Sequence, residues 1–188
     1  KCLKDMLDKY EFDETLKAYE KISDKKKMFV EPYVMPDQMY AKKWQEEQIS
    51  IKEKNMKMVN PQFFSGDDEN AIITEKGEQV RSKSEKIIAD KLFMKGIPYV
   101  YEQPLYLKGY GYVMPDFKIL NVKTRKEFYL EHFGMMDVEE YVRKALRKIE
   151  TFEKNDIYPG EKLLMTFETS DSPINIKLLD EMVNRYLI

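Results

Sequence analysis

The stretch from residue 127 to residue 168 constrains the fold more than any other. "EFYLEHF" (127–133) predicts a strand, and "KLLMTFE" (162–168) predicts a short buried one. Between them Val142, Ala145, Leu146, Ile149 and Phe152 form an apolar stripe at helical spacing, ended by "NDIYPG". Asp137, with Glu140 three residues later, has the pattern of a capping box at the start of that helix. A strand, a helix and a strand in succession imply a parallel pair with a right-handed crossover. The expected architecture is therefore a mixed α/β sheet flanked by helices.

Upstream, residues 74–95 read as one helix ending at "KGIP", where Gly96 can take the left-handed cap and Pro98 cannot continue the helix. "YVYEQPLYL" (99–107) and "YVMPDFKIL" (112–120) read as strands joined by the hairpin turn "KGYG". The polar "NVKTRK" leads into the strand at 127–133. From residue 74 the order is α-β-β-β-α-β-α. Before it, residues 37–58 predict a helix whose narrow stripe is Tyr40, Trp44, Ile51 and Met58, most simply packing on the main domain. A dimerisation arm, a substrate clamp or part of a larger protein are the other roles open to the helical region. "FVEPYVMPD" separates it from an earlier helical stretch near 3–22, and "NPQFFSGDDEN" reads as a loop. The expected division is a helical region at 1–60, a linker at 61–73 and a sheet domain at 74–188. No internal repeat is visible.

At 188 residues the chain suits one medium domain, or a small domain with an appendage, and 43% hydrophobic residues can fill a core. Cys2 is the single cysteine, so no internal disulfide framework exists and a reducing, cytoplasmic compartment is expected. No apolar run approaches the roughly 20 residues that span a bilayer, so no membrane partner is expected. The chain opens on Lys1, which leaves open a natural start upstream, with or without a targeting segment. The net charge of −2 argues against a broadly basic nucleic-acid protein. Its distribution is uneven: residues 1–78 carry 14 Lys/Arg against 17 Asp/Glu, and residues 81–150 carry 14 against 10. The second segment could thus present a phosphate-attracting face or an ordinary solvated one.

Three acids stand out by position. Glu85 shares a helical face with Ile88, Ala89 and Leu92, where an unpaired charge is costly. Asp116 follows Pro115 inside a strand pattern, and the proline suggests a bend that re-aims the aspartate. Glu131 sits late in the third strand. If the second and third strands are neighbours, Asp116 and Glu131 converge, and oxygen ligands of this kind suit Mg²⁺ or Mn²⁺. Singly, each has a plainer reading: a salt-bridged surface acid, a turn residue and an exposed strand acid.

The element order, with "VRSKSEKIIADKL", "YEQPL", "MPDF" and "YLEHFGMMD" on it, resembles the PD-(D/E)XK nuclease superfamily, above all its helicase-associated and phage-type branches. The resemblance covers about residues 74–188 and implies a restriction-endonuclease-like core. It makes Asp116 and Glu131 the metal-binding pair, Glu85 an additional ligand, and the backbone carbonyl of His132 a third oxygen on the ion. It departs at Phe133, where the usual E-x-K has its lysine.

The electrostatic work of that lysine needs a cation in the right place, not one sequence position. Lys148 lies seven residues after Tyr141, at the edge of the stripe formed by Ala145, Ile149 and Phe152, where its stem can cover apolar surface. It is the expected replacement, with Lys83 and Arg81 as other candidates. Strand alternation turns the His132 ring away from Glu131, towards a structural role. Arg81, Lys83, Tyr141 and Gln103 are candidate phosphate or base contacts.

The expected function is a divalent-metal-dependent nuclease hydrolysing DNA, with a helicase or other DNA-processing protein as a partner. The alternative is a degenerate nuclease fold that binds DNA or protein without turnover, motivated by the missing lysine and the acidic balance. A third reading is a sheet domain with no nucleic-acid role.

Overall fold

The computed structural model describes residues 21–23, 26, 29, 35–59 and 71–188. The chain divides into two compact units, Lys1–Pro36 and Asp37–Ile188, and the second carries every element named here. The helix expected near 3–22 and the loop expected at 60–70 lie almost wholly outside the described residues.

Helix α1 spans Asp37–Met56. A short hairpin follows, β1 (Ile72–Ile73) with β2 (Gln79–Val80). Next come α2 (Lys83–Met94), β3 (Tyr99–Tyr101), β4 (Leu105–Leu107), β5 (Gly111–Val113) and β6 (Phe117–Asn121). The chain ends with β7 (Lys126–Phe133), α3 (Glu139–Glu153), β8 (Leu163–Phe167) and α4 (Ile176–Tyr186). The main sheet has the order β3-β6-β7-β8, antiparallel except for the parallel pair β7–β8, while β4 and β5 form a hairpin of their own. This is the mixed α/β sheet expected from the strand–helix–strand succession.

Both faces of the sheet are covered. On one, Tyr99, Tyr101, Phe117, Ile119 and Leu130 pack with Ile88, Ala89 and Leu92 of α2 and Leu179 and Val183 of α4. On the other, Leu163 packs with Phe152 of α3 and with Leu107 and Val113 of the hairpin. Each such fully buried aliphatic or aromatic side chain stabilises the fold by roughly 1.5–3 kcal/mol relative to exposure.

Several elements differ from expectation, each for a local reason. The helix expected over 74–95 begins only at Lys83, because Gly77 (φ +87°) turns residues 72–80 into a hairpin. The true start is Ser82, whose side chain accepts from Glu85 N. At the other end Gly96 (φ +64°) takes the left-handed cap, with Ile97 N donating to Leu92 O. The strands expected at 99–107 and 112–120 are each broken. Glu102 (φ +47°) ends β3, and Pro115 separates β5 from β6. Asp137 does not cap α3, whose N-cap is Val138 without a side-chain bond. Its carboxylate instead accepts from Ser170 N and Ser170 Oγ. Leu146 of the expected α3 stripe is exposed.

Helix α1 also docks differently. Trp44 and Gln48 are buried as an inward stripe predicts, yet Ile51 and Met58 face solvent. The contact is largely polar. Gln45 Nε2, Lys52 Nζ and Asn55 Nδ2 donate to the carbonyls of Tyr99, Tyr101 and Pro104, at 3.3, 2.6 and 3.1 Å. Tyr99 and Tyr101 belong to strand β3, a sheet edge whose outward carbonyls lack a strand partner, and Pro104 follows it in the chain. Side-chain donors of α1 satisfy them.

Candidate metal centre

Strand pairing brings the two central acids together. Phe117 pairs with Leu130 in the antiparallel β6–β7 ladder, so Asp116 and Glu131 come next to each other just beyond it. Pro115 frees residue 116 from the strand, and Asp116 O accepts from Glu102 N at 2.9 Å. Asp116 Oδ2 accepts from His132 N at 2.7 Å. The N–H and C=O of a strand residue leave from the same strand edge, so the His132 carbonyl faces Asp116's side of β7.

Glu131 is 2% exposed. Its Oε2 accepts from Lys148 Nζ at 2.6 Å, while its Oε1 is buried without a hydrogen-bond partner. Lys148 reaches down from α3 and also donates to Met114 O at 3.2 Å. The cation expected on α3 thus meets the third-strand acid directly. Burial first, and then Asp116 beside it, push the Glu131 carboxyl up to about 8, against the pull of Lys148. Burial raises Asp116 as well, although Lys148, the His132 N–H and Arg81 favour its charged form.

Glu85 is buried too, but its carboxylate is engaged. Oε2 accepts from Tyr101 OH at 2.6 Å and from Arg81 N at 2.9 Å. With Ser82 as N-cap, "SKSE" is a variant capping box whose glutamate ties the preceding residue's N–H. Among the described residues no group of three or more His, Cys, Asp and Glu side chains has the arrangement of a metal cage. The donors that fit an oxygen-loving divalent ion are Asp116, Glu131 and the His132 carbonyl, with the orphaned Glu131 Oε1 as the observation that favours one. Glu85 stands beside this set through Arg81, whose Nη2 lies 2.9 Å from Asp116 Oδ1 and 3.4 Å from Glu85 Oε1.

Glu102 is the site residue that sequence reading missed. Its Oε1 lies 2.8 Å from Arg81 Nε, and its backbone N–H holds Asp116 O. Burial raises its pKa, and Arg81 opposes that rise. A left-handed φ on a glutamate is unusual and costs energy, a signal that only coordinates reveal.

The remaining candidates separate clearly. Tyr141 OH accepts from Gly134 N at 3.2 Å, and Tyr141 lines the cleft over the acids, a cavity of about 370 Å³ shared with Phe133, Lys144 and Lys148. Lys83 is exposed on the first turn of α2. Gln103 lies elsewhere, donating to Gln48 of α1 at 3.0 Å. The His132 ring belongs to the other face: Nδ1 lies 2.9 Å from Thr166 Oγ1, its cross-strand neighbour. Nε2 stands 3.3 Å from Glu168 Oε1, an ion-pair distance without hydrogen-bond geometry. Burial would raise Glu168, but the Ser84 hydroxyl and His132 outweigh it and hold the carboxyl below its usual range.

No family model matches the chain. It is similar to an uncharacterized protein of Methanocaldococcus jannaschii, 39% identical over 114 residues. The match covers 60% of this chain and 9% of the length of that relative. No helix among the described residues is long and apolar enough to cross a membrane.

Proposed function

We propose that residues 74–188 form a restriction-endonuclease-like domain that hydrolyses DNA phosphodiester bonds with the help of Mg²⁺ or Mn²⁺. The observation that carries the reading is the meeting of Asp116, Glu131 and Lys148, with one buried carboxylate oxygen of Glu131 left without a partner. The order α2, β3, β6, β7, α3, β8 supports the core assignment, with the β4–β5 hairpin as an insertion between its first two strands.

Asp116, Glu131 and the His132 carbonyl would hold the ion. When bound, it supplies a Lewis acid for the phosphate oxygen and an acidified water as nucleophile. The rest falls to the chain. Four carboxylates (Glu85, Glu102, Asp116 and Glu131) face two cations (Arg81 and Lys148), a surplus of two negative charges when all are ionised. One divalent cation matches that surplus. Lys148 keeps its ammonium against Glu131 and at the cleft, placed to stabilise negative charge on a phosphoryl group. Arg81 and Lys144 line the same cleft and favour an anionic strand. A helicase or other DNA-processing protein is the kind of partner such a domain would serve.

One observation favours the second reading, a DNA- or protein-binding module without turnover: Arg81 already pairs with Asp116. Calorimetric titration of Mn²⁺ into the wild type and into Asp116→Ala separates the two. Binding lost in the variant, together with metal-dependent cutting of linear, nicked or branched DNA by the wild type, is the expected result. Silence in the wild type, alone and with a short duplex present, would sink the enzyme.

A further inference from the structure

Arg81 is built in an unusual way for a surface arginine. Its backbone is pinned, with the N–H shared by Glu85 Oε2 at 2.9 Å and Tyr101 OH at 3.2 Å, immediately before the Ser82 cap of α2. Its side chain is 61% exposed, yet it contacts three carboxylates whose own side chains are only 5, 8 and 15% exposed. The guanidinium therefore lies over the mouth of an acidic well. A buried carboxylate without a counter-charge is costly, and a guanidinium cannot lose its proton to relieve crowding by another cation.

The three contacts fall into two groups. Nη2 makes the inner ones, 2.9 Å from Asp116 and 3.4 Å from Glu85. Nε makes the outer one, 2.8 Å from Glu102, which the left-handed turn at residue 102 holds beside the cleft. Glu102 thus gives the guanidinium a second partner, independent of Asp116.

We propose that Arg81 is a resident counter-ion: it neutralises Asp116 in the absence of metal, is displaced by a divalent cation, and then receives the substrate's phosphate at the cleft mouth. The proposal rests on the metal-dependent reading above and adds an order to it, metal before anion. A divalent ion on Asp116 would repel the guanidinium at Oδ1, so ion binding favours release of Nη2. The freed fork is planar and bidentate, the geometry that phosphate prefers. Arg81 would then oppose binding of the bare metal and favour binding of the nucleic acid.

Those opposite signs are the test. Mn²⁺ is titrated calorimetrically into wild type, Arg81→Gln and Lys144→Gln. Affinity for a short DNA duplex is then measured by anisotropy in Ca²⁺. Lys144 lines the same cleft but pairs with Glu140 on α3, so its loss controls for a general change of charge. The expected result is about tenfold tighter Mn²⁺ binding and at least about tenfold weaker duplex binding for Arg81→Gln, with Mn²⁺ affinity within about twofold of wild type for Lys144→Gln. Unchanged or weaker Mn²⁺ binding by Arg81→Gln would overturn the proposal while leaving the metal site standing, as would an equal gain in Lys144→Gln. A wild type that binds no Mn²⁺, alone or with duplex, overturns the metal reading itself. Should Arg81→Gln fail to fold, the Arg81 Nε–H resonance of the wild type is followed during Mg²⁺ titration. It is expected to shift in step with saturation, and an unmoved signal refutes displacement.

Discussion

Lys148 Nζ rests 2.6 Å from Glu131 Oε2, joining helix α3 to the centre of the sheet across 17 residues of sequence. A lysine two residues after Glu131 would start from the same strand, whereas this one arrives from the element packed above it. The ammonium touches both the acid and the carbonyl of Met114, just ahead of the Pro115 bend. It is thereby held more tightly than a free surface lysine.

If that ammonium stabilises charge during phosphoryl transfer, Lys148→Met lowers the single-turnover cleavage rate by about 10²–10³-fold. Mn²⁺ affinity should not weaken, because a positive charge beside Glu131 has been removed. Cleavage of a labelled duplex and calorimetry read the two effects separately. Wild-type cutting with weakened metal binding would make Lys148 a structural prop.

The proton on Glu131 links stability to pH. The unfolded carboxyl titrates near 4.3, while the folded one is pushed up to about 8, so between those values the folded state holds a proton that the unfolded state has lost. The contribution is fully present below about pH 4.3 and is lost as pH rises through about 8. Without divalent cations, stability should fall between pH 5 and 8 by on the order of 2–4 kcal/mol, and Asp116 and Glu102, whose carboxyls burial also raises, act in the same direction. Glu168, held low, has finished titrating below this window and does not mask the slope. Urea midpoints across the window should show the fall in wild type and a flatter line in Glu131→Gln. Saturating Mn²⁺ should also flatten it.

Trp44 is the chain's single tryptophan, and its Nε1 donates to Glu127 Oε1 at 2.6 Å. Trp44→Phe keeps most of the buried ring and removes that bond, so a loss of about 1–2 kcal/mol is expected. Lys52→Met removes the donor to Tyr101 O on the sheet edge and should cost a similar amount. Trp44 fluorescence during urea unfolding of Lys52→Met reports whether α1 leaves the sheet before the sheet itself unfolds. A single coincident transition means that α1 and the sheet form one cooperative unit.

The ends of α2 offer a further check. Ser82→Ala should cost about 1 kcal/mol through the lost cap, and Gly96→Ala about 1 kcal/mol through the left-handed φ. No atom stands within 4 Å of a Cβ added at Gly96, so backbone conformation alone is tested there. Thermal denaturation measures both, and an unaffected Gly96→Ala would contradict the cap.

The sequence by itself determined the elements whose signals are local. An aromatic-rich run marked β7, a short continuous apolar run marked β8, the spacing of Ala145, Ile149 and Phe152 marked α3, and Gly96 before Pro98 marked the end of α2. Two strands flanking a helix were enough to expect the parallel β7–β8 pair. Pro115 announced the break that sets Asp116 free of its strand. What only the tertiary structure decided depends on partners distant in sequence. Glu85 keeps its apolar neighbours, but Tyr101 and Arg81 claim its carboxylate. Glu102 reads as an ordinary strand residue until its positive φ and its contact with Arg81 are seen. Helix α1 shows an apolar stripe in one dimension, yet it docks through polar donors because an open sheet edge offers carbonyls rather than apolar surface. Periodicity records which face of an element turns inward. Which charges meet there is set by pairing register and by the packing of one element on another, and neither is written in any single window of the chain.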